Sequence, residues 1–250
     1  MSADDAIWAE SLTKTFRSGD GQVTVFDELS VAVGQGERLA IIGESGAGKS
    51  TLLHLFGGLD RPTRGRIFCN GRDIVKLDEG ELSRFCNREV GFVWQNPSLL
   101  PEFTALENVT MPLLIRGVHP DKAAQTGMER LDEVGLSKRR SHRAGEMSGG
   151  EQQRVALARA IAAEPKILLA DEPTGSLDFK TGEFITDLLA ELHRAHGLTS
   201  VFVTHNLGFA ARCDRILELK KGSLHLSSAM EMQAIGVVQD ATRLGGGTYV

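Results

Sequence analysis

Long apolar runs are missing from this 250-residue chain: no stretch approaches the ~18–20 residues a membrane span requires. Nothing in the sequence is therefore expected to cross a bilayer. The start, MSADDAIWAE, is acidic and lacks the basic and apolar regions of a secretory signal, which predicts a cytoplasmic chain. Cysteine is scarce, with Cys69, Cys86 and Cys213 odd in number and far apart, which suits reduced structural thiols and not a disulfide framework or zinc site. Excess positive charge is also absent. A formal net charge of -5 argues against broad nucleic-acid binding, which needs a concentrated basic face. Internal repeats and low-complexity tracts are absent too.

The remaining composition, 41% hydrophobic and 24% charged, is that of a globular protein with enough chain for a substantial core. The first third reads as strands and turns: 23–33, the turn 34–36, then 37–43 and 65–71. From about Leu77 to Ala163 the pattern is mostly helical, broken by the strand-like VGFVWQ at 90–95. Thr104 and Glu107 have capping-box spacing, and Gly135 can end a helix that begins near Pro120. Two apolar strands follow, at 166–172 and 200–205, with a helical segment between them, which implies a parallel sheet. The expected fold is α/β, a core interrupted by a helical subdomain, and the glycine-rich end 231–250 is expected to be a tail.

Two glycine-rich helix starts stand out. GESGAGKS (43–50) fits G-x-x-x-x-G-K-S between an apolar strand and a helix, the context in which that pattern cradles phosphate. Gly43, Gly46 and Gly48 let the backbone turn its N–H groups inward, Lys49 supplies a point charge to the β- and γ-phosphates, and Ser50 is placed to ligate Mg²⁺. Asp171, at the end of ILLAD, is the expected metal carboxylate. Glu172 beside it is the expected group that polarises an attacking water, so hydrolysis and not mere nucleotide binding is predicted. His205 arrives at the same sheet edge as a candidate γ-phosphate contact. Gln95 can hold water or a Mg²⁺ ligand without changing charge. The second start, MSGGE (147–151), has capping-box spacing at Ser148 and Glu151. Capping alone does not ask for Gly149 and Gly150; two glycines at a helix start leave its N–H groups open to a second anion, one belonging to another subunit.

In this order these motifs resemble those of the ATP-binding-cassette (ABC) ATPases over about residues 5–225. The set comprises Phe16, the loop 43–51, Gln95, MSGGE, ILLADE, the Ser176-Leu177-Asp178 loop and His205. The resemblance implies a RecA-like P-loop core with an N-terminal antiparallel β subdomain, segments 1–88 and 160–230, and an inserted helical subdomain, 89–159. It implies two ATP molecules with Mg²⁺ sandwiched in an ATP-dependent homodimer. Each ATP would contact Gly43, Glu44, Ser45, Gly46, Ala47, Gly48, Lys49, Ser50 and Thr51 of one subunit and Ser148, Gly149 and Gly150 of the other. Phe16 would stack on adenine, Asp178 would cross the interface, Ser50, Gln95 and Asp171 would serve the metal, and Glu172, His205, Gln95 and Lys49 the chemistry.

Three positions depart from the family pattern: Phe16 for tyrosine, Met147 for leucine and Glu151 for glutamine. The last is expected to turn back onto the cap. GGLDRPTRG, LLPEFTALENVTMPLL and ADEPTGSLD resemble the ATPases of lipoprotein-releasing transporters (LolD type) and of the related MacB-type exporters. That resemblance implies membrane permease partners that contact the cargo, and a place on the cytoplasmic face of the inner membrane. A MacB-like exporter, a division-type ABC ATPase regulating wall hydrolases and a DNA-maintenance ABC ATPase are the alternatives. The last lacks its long heptad insertions here, since the two glycine-rich motifs lie only about a hundred residues apart. Leu99, Leu100 and Phe103 are expected either to pack the loop onto the helical subdomain or to form an apolar cleft for a helix of the membrane partner.

Overall fold

The computed structural model describes residues 4–19 and 21–227; the tail expected at 231–250 lies outside the described residues. Strands β1 (Asp5–Ser18) and β2 (Gly21–Gly34) form a long antiparallel hairpin, followed by β3 (Arg38–Ile42) and helix α1 (Lys49–Phe56). Strands β4 (Arg64–Cys69) and β5 (Arg72–Asp73) precede α2 (Glu79–Glu89) and β6 (Val90–Val93). Helices α3 (Ala105–Ile115), α4 (Pro120–Glu133) and α5 (Gly149–Ala162) form the insert. The chain then runs through β7 (Ile167–Asp171), α6 (Phe179–His196), β8 (Thr199–Val203), α7 (Leu207–Ala210), β9 (Arg215–Lys220) and β10 (Ser223–Leu226).

Two sheets result. The antiparallel sheet has the order β2-β1-β4-β5, and the larger one β10-β9-β3-β8-β7-β6 is parallel except at β10. The larger sheet's strands β3, β7 and β8 are mostly apolar and buried at nearly every position because both faces are covered, as parallel sheets require. Strand β6 pairs with β7 in this sheet, so the insert proper begins after it, although the segment 89–159 includes it.

Helix α1 lies between the sheets. Leu52, Leu53, Leu55 and Phe56 are fully buried in one cluster with Ile7, Leu12, Phe26 and Ile67 of the antiparallel sheet and with Ile41, Leu169 and Val201 of the larger one. So short a helix is held by this enclosure, four of its eight residues being buried apolar side chains. A second cluster joins Val109, Leu131 and Val155 of the insert to Leu168 and Phe202 beneath. The helical insert thus packs on the sheet through α5.

Thr104 and Ser148 each close the capping box read from the sequence, and Gly135 follows α4 with φ of +69°; Asp78 closes a further box and Asp178 caps α6, neither of which the sequence reading singles out as a cap. The strands expected at 23–33, 37–43 and 65–71 are found as β2, β3 and β4, with β2 lengthened to 14 residues by pairing with β1, which the sequence pattern does not show. Its register shifts between Ala9 and Leu12, where Ser11 has φ of +49°, and such a bulge destroys the alternation by which a strand is read.

Candidate functional site

Four parallel strands deliver their carboxyl ends to one edge of the larger sheet: β3 leads to Gly43, β6 to Gln95, β7 to Asp171 and β8 to His205. Ligands of open α/β sheets bind at this edge. A cleft of about 460 Å³ opens there, lined by Gly43, Ser45, Gly46, Gly48, Lys49, Ser50, Thr51, Gln95, Asp171, Glu172 and His205, with Val25 and Val203. Gln95 and His205 stand two residues beyond their strands, not on the last strand residue as read from the sequence.

The loop's glycines are required sterically. A Cβ on Gly43 would lie 2.5 Å from the Leu219 carbonyl oxygen, and one on Gly48 would lie 2.2 Å from Val25 Cγ1, with φ values of +149° and +99°. Gly48 starts α1 without any side-chain cap, in contrast to the capped starts of α2, α3, α5 and α6. The first N–H groups of α1 are thus left for an anion, aligned with the positive end of the helix dipole. Lys49 is buried and donates from Nζ to the carbonyls of Gly43 at 2.8 Å and Glu44 at 2.9 Å, so its charge is held within the loop. Ala47 packs against the core behind the loop. Glu44, Ala47 and Phe16 are not among the side chains lining the cleft. Phe16 is 43% exposed on β1, with Lys14 Nζ 4.7 Å from its ring centroid.

Glu172 is the most constrained residue of the site. Its backbone is left-handed, with φ of 45°, a conformation that costs a residue with a Cβ on the order of 1 kcal/mol and persists where neighbours enforce it. The Glu172 N–H donates to the Val203 carbonyl at 2.8 Å. Its carboxylate accepts three hydrogen bonds: from the His205 N–H at 2.9 Å, His205 Nδ1 at 2.7 Å and Thr204 Oγ1 at 3.0 Å. A carboxylate with this support points in one direction, as a base that orients water must. Thr204, buried at the end of β8, has no motif to advertise it in the sequence, and it positions Glu172 directly.

The second glycine-rich start lies elsewhere. Ser148, Gly149, Gly150, Arg154, Leu177 and Asp178 line a separate cleft of about 720 Å³. Within this chain, then, MSGGE does not share the phosphate loop's cleft. Glu151 turns back as expected: its carboxylate accepts from the Ser148 N–H at 2.8 Å and from Arg139 Nε at 2.7 Å. The Ser148 N–H holds the Glu151 carboxyl below the usual carboxylate range, with Arg139 contributing. Met147 fills its place in the buried cluster of the insert.

The two glycines prove different. A Cβ on Gly150 would lie 2.5 Å from Thr181 Cγ2, whereas one on Gly149 would meet only Leu177 Cδ2 at 3.8 Å. Gly150 is thus demanded by packing against α6, and Gly149 alone leaves the helix start open. Asp178 accepts from Thr181 N at 3.1 Å and Thr181 Oγ1 at 2.6 Å, and the latter chiefly holds its carboxyl below the ordinary range.

A third cleft, of about 420 Å³, lies between α2, β6 and α3, lined in part by Leu59, Trp94, Leu100, Met111 and Ile115. Leu100 belongs to it. Leu99 packs into the core of the insert instead, and Phe103 is half-buried without lining the cleft.

Comparison with known proteins agrees with this geometry. Residues 26–175 match the family described as ABC transporter. The lipoprotein-releasing system ATP-binding protein LolD of Koribacter versatilis is 54% identical over 211 residues, covering 84% of this chain and 95% of that protein. The LolD of Coxiella burnetii is 52% identical over 229 residues, covering 91% and 98%. Among solved structures, the dimeric post-hydrolysis state of the ATP-binding cassette MJ0796, bound to ADP and Pi, superposes with a TM-score of 0.81 at 38% identity, covering 88% of this chain and 96% of that one. With its motifs gathered at one sheet edge and its relatives aligned over nearly their whole length, the chain belongs to the ABC transporter family, among the ATP-binding subunits of the lipoprotein-releasing type.

Proposed function

We infer that this chain is the ATP-binding and ATP-hydrolysing subunit of a transporter that releases lipoproteins from a membrane. The observation that carries the reading is the convergence of Lys49, Ser50, Gln95, Asp171, Glu172 and His205 on one cleft beside an uncapped helix start. The triphosphate lies along the loop 43–51, against its N–H groups and Lys49. Glu172 orients a water and accepts its proton as the water attacks the γ-phosphorus and ADP leaves. His205, hydrogen-bonded to Glu172 through Nδ1, fixes that carboxylate and offers Nε2 toward the γ-phosphate.

The donor set fits Mg²⁺. Ser50, Gln95 and Asp171 bring a hydroxyl, an amide oxygen and a carboxylate to the cleft, all hard oxygen ligands. Among the described residues no cluster of three or more His, Cys, Asp or Glu could hold a metal without help, and Mg²⁺ commonly completes its shell with phosphate oxygens and water. When bound, the ion neutralises charge on the β- and γ-phosphates.

The cleft around Ser148 and Gly149 receives the γ-phosphate held by a second copy, so ATP closes a head-to-tail pair and hydrolysis reopens it. The dimeric form of MJ0796 supports this arrangement. Among the described residues no helix is long and apolar enough to cross a membrane. In this reading the movement is delivered to integral permease subunits, docked at the cleft around Leu100 on the cytoplasmic face of the inner membrane, and those subunits contact the cargo. The test is reconstitution: the purified subunit with its co-purifying membrane partners should release lipoprotein from proteoliposomes with ATP. Ser148→Arg should abolish release and ATP-induced dimerisation while nucleotide binding by the single subunit persists. If Ser148→Arg removes binding by the monomer, the signature acts within its own chain and the dimer reading is wrong.

A further inference from the structure

Gln153 is completely buried on α5, five residues after Ser148, at a helix position where an apolar side chain would pack more cheaply. Its Nε2 donates to two carbonyl oxygens from distant parts of the chain: Trp94, immediately before Gln95, at 3.1 Å, and Pro173, immediately after Glu172, at 2.9 Å. Both partners are acceptors only, so the amide orientation is fixed by chemistry. Its Oε1 is buried and has no hydrogen-bond donor among the described residues. Burial of a half-satisfied amide adds little stability, which turns attention to what the satisfied half ties together.

Other contacts restrain the same loop. Arg159, also on α5, donates to the carbonyls of Pro97 at 2.8 Å and Ser98 at 3.0 Å, and Ser176 Oγ donates to the Gln95 carbonyl at 3.1 Å. The helix that begins at the signature therefore grips the Gln95 loop at two points. Of the two α5 side chains, Gln153 alone also grips the segment carrying Glu172, which Ser176, four residues past Glu172, ties to the Gln95 carbonyl from the other side.

We propose that Gln153 is a positioning residue for ATP hydrolysis: its amide clamps the backbone beside Gln95 to the backbone beside Glu172, so that the signature helix, the Gln95 loop and the catalytic carboxylate move as one body. The inference rests on the ATPase reading above. Closure of the signature end onto a second copy then sets the spacing of Gln95 and Glu172 through a rigid helix of 14 residues.

Gln153→Met keeps length and volume and removes both donors. The full-length purified subunit is compared with Val155→Ala, a fully buried change on the same helix that touches neither carbonyl. Phosphate release is measured against ATP concentration, and melting temperature alongside it. Trp94 fluorescence is followed in a Trp8→Phe background, which leaves Trp94 as the remaining one of two tryptophans. For Gln153→Met, kcat is expected to fall about 10- to 100-fold, the scale of a misplaced catalytic group, with KM nearly unchanged and the ATP-induced Trp94 signal lost. Val155→Ala is expected to lower the melting temperature with kcat and the Trp94 signal intact.

Wild-type kcat in Gln153→Met overturns the proposal, as does an equal loss of kcat in Val155→Ala at matched melting temperature. If Gln153→Met does not fold, Ser176→Ala and Arg159→Lys loosen the same loop from its exposed side. Wild-type kcat and Trp94 signal in both would equally overturn it. Wild-type protein that fails to hydrolyse ATP would sink the ATPase reading itself, a separate result.

Discussion

His205 donates Nδ1–H to Glu172 Oε1 across 2.7 Å, and the His205 backbone N–H reaches the same oxygen at 2.9 Å. One residue thus grips the carboxylate with both its ring and its main chain. The far edge of the ring, with Nε2, belongs to a side chain that is 69% exposed and faces the cleft opening.

Replacement of Glu172 by glutamine is expected to lower turnover by about 10²- to 10⁴-fold, since the amide does not accept the water's proton. ATP binding should survive, and a dimer should accumulate with ATP, visible by light scattering. Three donors meet a carboxylate here, and an amide offers them one acceptor oxygen. Thr204→Val separates this positioning effect from the chemistry: it removes the hydrogen bond to the Glu172 carboxylate, worth about 1.5–3 kcal/mol, together with the one Thr204 Oγ1 accepts from the Asn206 N–H, and should lower both melting temperature and kcat, the latter far less than Glu172→Gln does. Phosphate-release assays that find Glu172→Gln as active as wild type would remove Glu172 as the base.

Glu151 gives a dependence on pH with a definite sign. Its carboxyl is held below the usual range by the Ser148 N–H and Arg139, so the interaction contributes stability above the unfolded-state value of about 4.3 and loses it as pH falls through the lower folded-state value. Glu151→Gln keeps the capping-box geometry and loses the charge. The melting temperatures of wild type and variant should therefore differ slightly at pH 7, by what an edge ion pair of about 0.2–1 kcal/mol allows, and converge below about pH 4. ATPase activity of the variant should stay near wild type. A large loss would mean that Glu151 meets nucleotide and not the cap.

Much of this site was legible because phosphate loops and caps are local. Gly43 to Thr51 carry their meaning in eight residues of spacing, and Ser148 with Glu151 in three. Asp171, Glu172 and His205 followed from strand ends, since parallel strands deposit their last residues at one edge. Gln153 was not legible. In EQQR it reads as one more polar helix residue, and the carbonyls that explain it lie 59 and 20 residues away. Strand β1 was hidden by its bulge. Phe103 and Leu100 are equivalent by sequence pattern, and only the turn into α3, with Asn108 bonding the Leu100 backbone at 2.8 and 3.1 Å, decides which one faces the cleft.

Gly150 and Thr181 form a steric pair. Thr181 Oγ1 is committed to Asp178 at 2.6 Å, so its methyl is pinned where a Cβ on Gly150 would be, 2.5 Å away. Gly150→Ala should destabilise the protein by about 1–3 kcal/mol, the range of an overpacked contact. Thr181→Ser keeps the hydroxyl that donates to the capping carboxylate of Asp178 and removes the methyl, so it should restore most of the loss in the double variant. Gly149→Ala, with open space around it, should melt like wild type even if ATP-driven dimerisation suffers. Denaturant titration of the four proteins reads the coupling directly. Additive effects would mean that the contact relaxes without strain.

The cleft beside Gln95 separates packing from docking. Leu59, Leu100 and Ile115 are 52%, 42% and 71% exposed around it, a grouping of apolar side chains that a lone subunit leaves in water. Trp94 forms part of its wall and stacks on Phe92 with ring centroids 5.2 Å apart, so the cleft adjoins the loop that carries Gln95. Leu100→Ser should cost the isolated subunit little, within about 0.5 kcal/mol for a surface change, and leave nucleotide affinity intact. In the assembled transporter it should weaken co-purification with the membrane subunits and leave ATP turnover poorly coupled to lipoprotein release. Phe103→Ala, a truncation off the cleft, should leave that association close to wild type. Pull-down of the membrane subunits with each variant decides the matter: loss with Phe103→Ala and none with Leu100→Ser would move the docking surface away from this cleft and toward the turn before α3.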